Sequence, residues 1–218
     1  MNKKLFAAIL LLVILSVNVF AFNEDYLNLV TFKNLTSRTI DFIFLSPGDS
    51  EYWGPEILGS ERILEQDDSL GFWILYPNEC DAFDIMAVDE DGGTFVIYDY
   101  EICDGSEELI EIVNKDLTDD PPDMDFVNIY IENETIDIYY IFISPSDSEM
   151  WGVDYLDETT ILESEGYVSF LFPAMEDATE YDLMGVDEDG DEYQFSFDID
   201  TDSDELVFAI EISDLVTE

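Results

Sequence analysis

The sequence predicts an all-β protein of two tandem antiparallel β-sandwich domains, immunoglobulin-like in architecture, with about seven strands each. Two observations support this prediction. Apolar residues fall in short runs of strand length between polar turns, and two motifs recur at a common spacing. No segment keeps the apolar period of a helix. A small closed barrel is the alternative arrangement of the same strands.

The predicted strands are apolar runs bounded by turn residues. In the clearest run, Tyr193, Phe195 and Phe197 alternate with polar residues, which places one face of the strand in a core and the other in water. The seven runs of the second half cover residues 126–131, 136–143, 159–162, 167–172, 181–186, 192–199 and 205–212.

The two motifs define an internal repeat. SPGDSEYWG, which begins at Ser46, returns as SPSDSEMWG at Ser144, and DIMAVDEDG from Asp84 returns as DLMGVDEDG at Asp182. Both pairs have the same offset, so one unit has been duplicated. We assign residues 22–114 to repeat 1, 115–125 to a linker and 126–218 to repeat 2. The linker holds a Pro-Pro pair and is semi-rigid, so we expect a preferred but unlocked separation of the repeats.

Residues 1–21 have the features of a cleaved signal peptide. Lys3 and Lys4 precede an apolar stretch, and Ala21 ends a small-residue cleavage pattern before Phe22. The apolar stretch is too short to span a bilayer comfortably, although a retained anchor is the alternative. We therefore expect export to the periplasm or the cell exterior, with no membrane insertion after cleavage.

The charge of the chain is extreme. It has 54 acidic residues, 6 basic residues and no His, and loss of Lys3 and Lys4 leaves a net charge of −50. Such a surface repels phosphate, so nucleic acid is excluded as a partner. It attracts cations, so divalent ions are candidate partners. A solvated acidic surface suited to a saline habitat is the alternative explanation.

The two cysteines, Cys80 and Cys103, flank a predicted hairpin. Counting outward from its turn brings the two residues near each other, and export permits oxidation. The sequence therefore predicts a disulfide, which contributes on the order of 3 kcal/mol in the chain-entropy model.

The acidic turns of both repeats have two interpretations. Asp-Gly at these positions forms hairpin turns without a ligand. The alternate carboxylates also resemble Ca²⁺ ligands, which are hard oxygen donors. The candidate Ca²⁺ ligands are Asp187, Asp189, Asp191, Asp147 and Glu149 in repeat 2, and Asp89, Asp91, Asp49 and Glu51 in repeat 1. A shared site requires the Asp49 and Asp147 loops to lie beside the acidic turns.

Trp53 and Trp151 either close one end of each sandwich or form an exposed platform for stacking. Exposure would favour carbohydrate binding. The absence of His removes the common nucleophile-base pairs, so no catalytic residue is assigned and no enzyme is expected.

The motifs SPxDSxxWG from Ser144 and VDxDGD from Val186 together resemble a recurrent module of bacterial exported proteins. Repeat 1 departs from this pattern at Gly48 and Gly93. The resemblance implies a secreted β module and carries over no catalytic residue. The sequence therefore predicts a non-enzymatic binding or structural protein with an unidentified protein or glycan partner, stabilised by Ca²⁺. The alternatives are a carbohydrate-binding module and a hydrolase that acts through carboxylates.

Overall fold

The computed structural model describes residues 22–59, 62–75, 80–103, 108–121, 125–156, 160–174, 180–199, 203 and 205–217. The predicted signal peptide lies outside these residues. The described part of the chain is nearly all β, as predicted. None of its helices has the length and apolar content needed to cross a bilayer.

Strand bounds are as follows. The first half contains β1 (Leu27–Asn34), β2 (Ile40–Pro47), β3 (Ser69–Leu75), β4 (Cys80–Asp89), β5 (Thr94–Cys103) and β6 (Glu108–Ile112). The second half contains β7 (Asp125–Asn133), β8 (Ile138–Pro145), β9 (Gly152–Val153), β10 (Tyr167–Ala174), β11 (Glu180–Asp187), β12 (Glu192–Asp198) and β13 (Glu205–Ile210). Short 3-10 helices cover Glu24–Tyr26, Asn114–Asp116 and Ile212–Asp214.

Each repeat is a sandwich of two sheets with the same strand order in both copies. Repeat 1 has the sheets β6-β1-β3 and β2-β4-β5, and repeat 2 has β13-β7-β10 and β8-β11-β12. Both sheets contribute to one apolar core per repeat. Phe32 and Ile85 are buried in the first core, and Ile131 and Leu183 in the second. These sheets confirm the sandwich.

Two details of the predicted architecture are wrong. The sheets are not purely antiparallel, because β6 runs parallel to β1 and β13 runs parallel to β7. The described part of each repeat has six long strands instead of about seven. The run at 159–162 fails as a strand because Leu162 forms only an isolated bridge to Ile138, as Leu64 does to Ile40.

The two repeats exchange chain segments. Strand β9 of repeat 2 adds to the edge of β3 in repeat 1, where Val153 pairs with Ile74. In the reverse direction, the Glu56 N–H donates to the Leu171 carbonyl of β10 at 2.9 Å. Each repeat therefore covers the exposed sheet edge of the other, which protects both edges from pairing with further chains.

Apolar contacts accompany this exchange. The Phe126 ring stacks on Phe44 of repeat 1 at a centroid distance of 5.9 Å. The Phe22 ring lies 4.9 Å from that of Tyr140 and 6.0 Å from that of Phe142, both in repeat 2. In each repeat, the second sheet (β2-β4-β5 or β8-β11-β12) therefore has an outer face that is covered by the opposite repeat as well as by its own loops.

The linker is shorter than predicted. Leu117 bridges Phe95, and the Thr118 N–H donates to the Thr94 carbonyl at 2.8 Å, so both residues belong to repeat 1. Asp125 already belongs to β7. We expected the linker to leave the repeats in a preferred but not fixed separation. Instead the repeats contact each other directly, through strand pairing and apolar surface.

The predicted disulfide is confirmed. Cys80 and Cys103 are direct register partners on β4 and β5, and their sulfur atoms are bonded. The bond fastens the open end of this hairpin, opposite its acidic turn.

Candidate functional site

The repeated SPxDSExWG motif forms a tight loop after the second strand of each repeat. The Ser46 hydroxyl donates to the Tyr52 carbonyl, and the Ser144 hydroxyl donates to the Met150 carbonyl at 2.6 Å. The proline ends each ladder, since it has no N–H to donate. The motif therefore sets the same loop shape in both copies.

The two loops bind each other reciprocally. Asp147 accepts from the Ser50 hydroxyl at 2.6 Å and from the Glu51 N–H at 3.2 Å. Asp49 accepts the equivalent pair from repeat 2, at 2.7 Å from the Ser148 hydroxyl and 3.1 Å from the Glu149 N–H. We call this arrangement the loop clasp. Asp49 and Asp147 therefore form hydrogen bonds between the repeats.

A cleft of about 430 Å³ opens beside the repeat 1 loop. Its described lining consists of Ser46, Ser50, Glu51, Tyr52, Trp53, Asp84, Tyr98, Asp120 and Pro121. This size is within the range of small-molecule sites. Three carboxylates and three aromatic rings line it, and neither Lys nor Arg is among the described lining residues.

A β-bulge in strand β5 shapes one wall of the cleft. Phe83 pairs with Tyr100 and Ile85 with Ile97, so Asp84 alone faces Tyr98 and Asp99. Asp99 adopts a φ of 53°, and its N–H donates to the Asp84 carboxylate at 2.8 Å. A left-handed non-glycine residue carries strain, which recurs at functional sites. The bulge leaves the Tyr98 ring 62% exposed.

Repeat 2 lacks this bulge. There Tyr181, Asp182 and Leu183 pair one for one with Phe197, Ser196 and Phe195. The Ser196 hydroxyl donates to the Asp182 carboxylate at 2.6 Å, where repeat 1 has the Asp99 N–H and an exposed tyrosine. The exposed tyrosine beside the cleft aspartate therefore has no counterpart at the corresponding place in repeat 2.

The chemistry of the cleft is that of an acceptor site. Burial raises the pKa of Asp84, an effect that the Asp99 N–H opposes and the Asp99 charge reinforces. The Ser50 hydroxyl donates to Asp147 at 2.6 Å, and the Ser46 hydroxyl donates to the Tyr52 carbonyl. Both cleft serines are thus engaged with the protein itself, while the carboxylates offer acceptors to a ligand.

The two repeated tryptophans are not exposed platforms. Trp53 is only 6% exposed and packs on Phe44 and Met86, on the outer face of the second sheet. Trp151 is half-buried and packs on Phe142 and Met184 at the corresponding place. The accessible ring is instead Tyr98, whose centroid lies 6.5 Å from that of Trp53.

The acidic turns close on themselves. Asp187 accepts from the Asp189 and Asp191 N–H groups, each at 3.0 Å. Asp89 accepts from the Asp91 N–H at 3.0 Å and the Gly93 N–H at 2.7 Å. Both turns thus have the hydrogen bonds of ligand-free Asx turns.

The proposed union of the acidic turns with the clasp loops is wrong. Pro145 pairs with Tyr181 at one end of β11, and Ile138 pairs with Asp187 at the other. Asp147 and Glu149 therefore lie at the opposite end of the sheet from Asp187, and the same register separates Asp49 and Glu51 from Asp89. Ca²⁺ binding by the acidic turns alone stays a prediction.

Among the described residues, the potential metal-ligand atoms of Cys80, Glu101 and Cys103 lie within 4.8 Å of one another. The two sulfurs are joined in the disulfide. This group therefore does not provide the oxygen ligands that Ca²⁺ requires.

The buried Glu56 carboxylate is not among the site residues that the sequence predicted. The Glu56 side chain accepts from the backbone N–H groups of Ile43, Leu58 and Gly59 at 3.1, 2.6 and 2.7 Å. Burial raises its pKa to about 7, although these hydrogen bonds and the Arg62 charge oppose the shift. Asp154 has the corresponding place in repeat 2 and accepts from the Ile141 N–H at 3.1 Å.

The fold and the described residues define an all-β protein of two sandwich repeats, with an acidic cleft beside the exposed Tyr98 ring of repeat 1. No protein-family model and no curated protein matches the chain. A similar solved structure is the NMR structure of a protein from Eubacterium rectale, with a TM-score of 0.33 and 16% identity. It covers 45% of this chain and 90% of that one. A likeness at this level carries no functional argument.

Proposed function

We propose that the chain is a non-enzymatic extracytoplasmic binding protein whose ligand site is the cleft of repeat 1. The observation that carries this proposal is the bulge at Asp99, which holds the exposed Tyr98 ring beside Asp84 in one repeat only. A bulge that re-aims one side chain is a common device next to binding sites.

Composition supports the same proposal. The chain has no His, so the usual bases for a Ser or Cys nucleophile are absent. The predicted signal peptide and the disulfide both fit an oxidising compartment outside the cytoplasm. Divalent cations act here as stabilisers of an acidic surface.

The test is a ligand screen with two variants. Tyr98→Ala removes the exposed ring of the cleft, and Tyr167→Ala removes a ring on β10 that is equally accessible, at 66%. Compounds from neutral and cationic classes are titrated by calorimetry into the chain from Phe22 onward. The proposal expects at least one compound whose binding is weakened by Tyr98→Ala and unchanged by Tyr167→Ala. A screen in which no compound shows this difference contradicts the proposal.

A carbohydrate-binding module is the second candidate, favoured by the exposure of Tyr98. A tyrosine ring stacks on the apolar face of a sugar, and neighbouring carboxylates accept hydrogen bonds from its hydroxyls. This candidate expects neutral oligosaccharides to bind in the screen, with the same dependence on Tyr98.

A further inference from the structure

We propose that the cleft of repeat 1 binds a small organic ammonium ion, held on the exposed Tyr98 ring by the carboxylates of Glu51, Asp84 and Asp120. This inference rests on the proposed function and specifies its ligand class.

The negative charge of the cleft has no partner among its described lining residues. Beyond residue 21 the chain has four basic residues, and three of them have contacts elsewhere. Arg38 forms an ion pair with Asp91, and Lys115 lies 4.0 Å from Asp116. The Arg62 guanidinium donates to the Leu58 carbonyl at 2.6 Å. The described lining of the cleft therefore offers a cationic ligand three carboxylates and no competing basic side chain.

The aromatic rings favour a cation with diffuse charge. The Tyr98 ring is 62% exposed, its centroid lies 6.5 Å from that of the buried Trp53 ring, and Tyr52 lines the same cleft. Ammonium groups bind to the faces of such rings, and the recognition of choline-type ligands by aromatic rings relies on this attraction. A carboxylate beside the ring adds a charge-charge attraction.

A bare metal ion fits the cleft less well. The three cleft carboxylates are not among the described groups whose ligand atoms converge within 4.8 Å. Ca²⁺ needs six to eight oxygen ligands in close contact. An organic ammonium ion needs only nearby negative charge and apolar contact, which spaced carboxylates and rings supply.

A neutral sugar also fits less well than a cation. Sugar hydroxyls both donate and accept hydrogen bonds, so sugar sites combine donors with acceptors. The two cleft serines already donate to the Tyr52 carbonyl and to Asp147, and the phenol hydroxyls of Tyr52 and Tyr98 are uncharged donors. The charged side chains of the cleft are all acceptors, which suits a ligand that donates and carries positive charge.

The experiment compares two ligands that differ only in charge. Choline and 3,3-dimethyl-1-butanol have the same shape, with a nitrogen in one and a carbon in the other. Both are titrated into the chain from Phe22 onward at constant ionic strength, together with n-butylamine and maltose. The variants are Tyr98→Ala, Asp84→Asn and the control Tyr167→Ala.

The inference expects saturable binding of choline or n-butylamine and no binding of 3,3-dimethyl-1-butanol. Tyr98→Ala should weaken the cation about tenfold, within the range of a cation-π contact. Asp84→Asn should also weaken it, and Tyr167→Ala should leave it unchanged. Because Tyr98 is exposed, its variant tests the cleft without disturbing a core.

Three outcomes overturn the inference. The first is equal affinity for choline and its neutral analogue. The second is cation binding that is unchanged by Tyr98→Ala, because such binding would reflect only the acidic surface. The third is binding of maltose, but of neither ammonium compound, in a Tyr98-dependent manner; the proposed function then stands and the ligand class is wrong. If no compound depends on Tyr98, both proposals fail.

Discussion

At the residue scale, buried carboxylates organise the segments that the repeats exchange. Glu56 uses its side chain to bind three backbone N–H groups of its own repeat, while its own N–H donates to Leu171 of the other. Asp154 repeats the arrangement, with its N–H donating to the Trp73 carbonyl at 2.9 Å. Both residues thus bind their own repeat through the side chain and the other repeat through the backbone N–H.

Glu56 gives the protein a pH dependence of stability. The folded state keeps the Glu56 proton up to a pH of about 7, whereas the unfolded chain loses it near its ordinary pKa of 4.5. Between these values the folded state binds more protons, so its free energy of unfolding falls as pH rises, by about 3 kcal/mol in total. Urea unfolding from pH 4 to 8 should show this fall in the natural chain and lose it in Glu56→Gln. If the free energy of unfolding changed equally with pH in the natural chain and in Glu56→Gln, the raised pKa of Glu56 would be contradicted.

Asp187 distinguishes a turn from a metal loop. If its carboxylate only accepts the Asp189 and Asp191 N–H groups, Asp187→Ala should cost about 2 kcal/mol in EDTA, while Asp187→Asn keeps an acceptor and costs less. Asp189 is exposed, so Asp189→Ala is the control and should leave the free energy of unfolding nearly unchanged. A Ca²⁺ loop would instead show losses for all three variants that appear only when Ca²⁺ is present. Thermal unfolding with and without Ca²⁺ separates the two cases.

At the element scale, the loop clasp joins two hairpin ends that the sequence identifies only as a repeat. Each loop both accepts through its aspartate and donates through the following serine and glutamate. Loss of one aspartate loosens the partner loop, which carries the other aspartate. The two halves of the clasp should therefore be coupled energetically.

A double-mutant cycle measures this coupling. Asp49→Ala and Asp147→Ala should each cost about 1 kcal/mol, and the double variant should cost less than the sum by about 0.5 kcal/mol. Asp189 lies beyond the far end of β11, so a cycle of Asp49→Ala with Asp189→Ala provides the control and should be additive. Additivity in both cycles would show that the two loops act independently. Free energies of unfolding in urea supply the values.

The sequence predicted the strands and the disulfide well because both follow local rules. Alternation fixes strand faces, and hairpin counting brings Cys80 to Cys103. The parallel pairing of β6 with β1 and the exchange at β9 were missed, because pairing between distant segments leaves no local pattern. The bulge did leave a signal. Apolar residues at Phe95 and Ile97 resume at Tyr100, so the alternation shifts by one residue where Tyr98 becomes exposed.

At the scale of the whole molecule, the two repeats behave as one folding unit. Each supplies an edge partner and apolar cover to the other, so neither repeat buries its surface alone. Met150 and Val153 of repeat 2 even belong to the core of repeat 1. Cooperativity should therefore extend over both repeats.

A cut between the repeats tests this cooperativity. A protease site placed within residues 119–124 should yield two fragments that stay together in native gel filtration and separate only in denaturant. Intact chain should unfold in one transition by circular dichroism and by tryptophan fluorescence. Two separate transitions, or fragments that part under native conditions, would show that the contacts between the repeats are weak.

The net charge makes stability depend on the surrounding ions. Repulsion among so many carboxylates destabilises the compact state, and salt screens it, so the unfolding temperature should rise with NaCl. Melts in EDTA, MgCl₂ and CaCl₂ at matched ionic strength then isolate specific binding. A rise unique to Ca²⁺, by about 2.7 kcal/mol at a hundredfold excess over the dissociation constant, would indicate true sites. Equal, small effects of both ions would indicate screening alone.

The reciprocal exchange between the repeats has an evolutionary consequence. An interface in which each half gives what it receives is the interface of a symmetric homodimer. In a homodimer every substitution appears twice, so an inserted residue such as Asp99 would alter both subunits at once. Joining the two halves in one chain removes that constraint, since one half can pair without a bulge while the other carries the bulge and an exposed ring. The two halves of one chain can therefore differ at a position where two identical subunits could not, as these repeats do at Asp99.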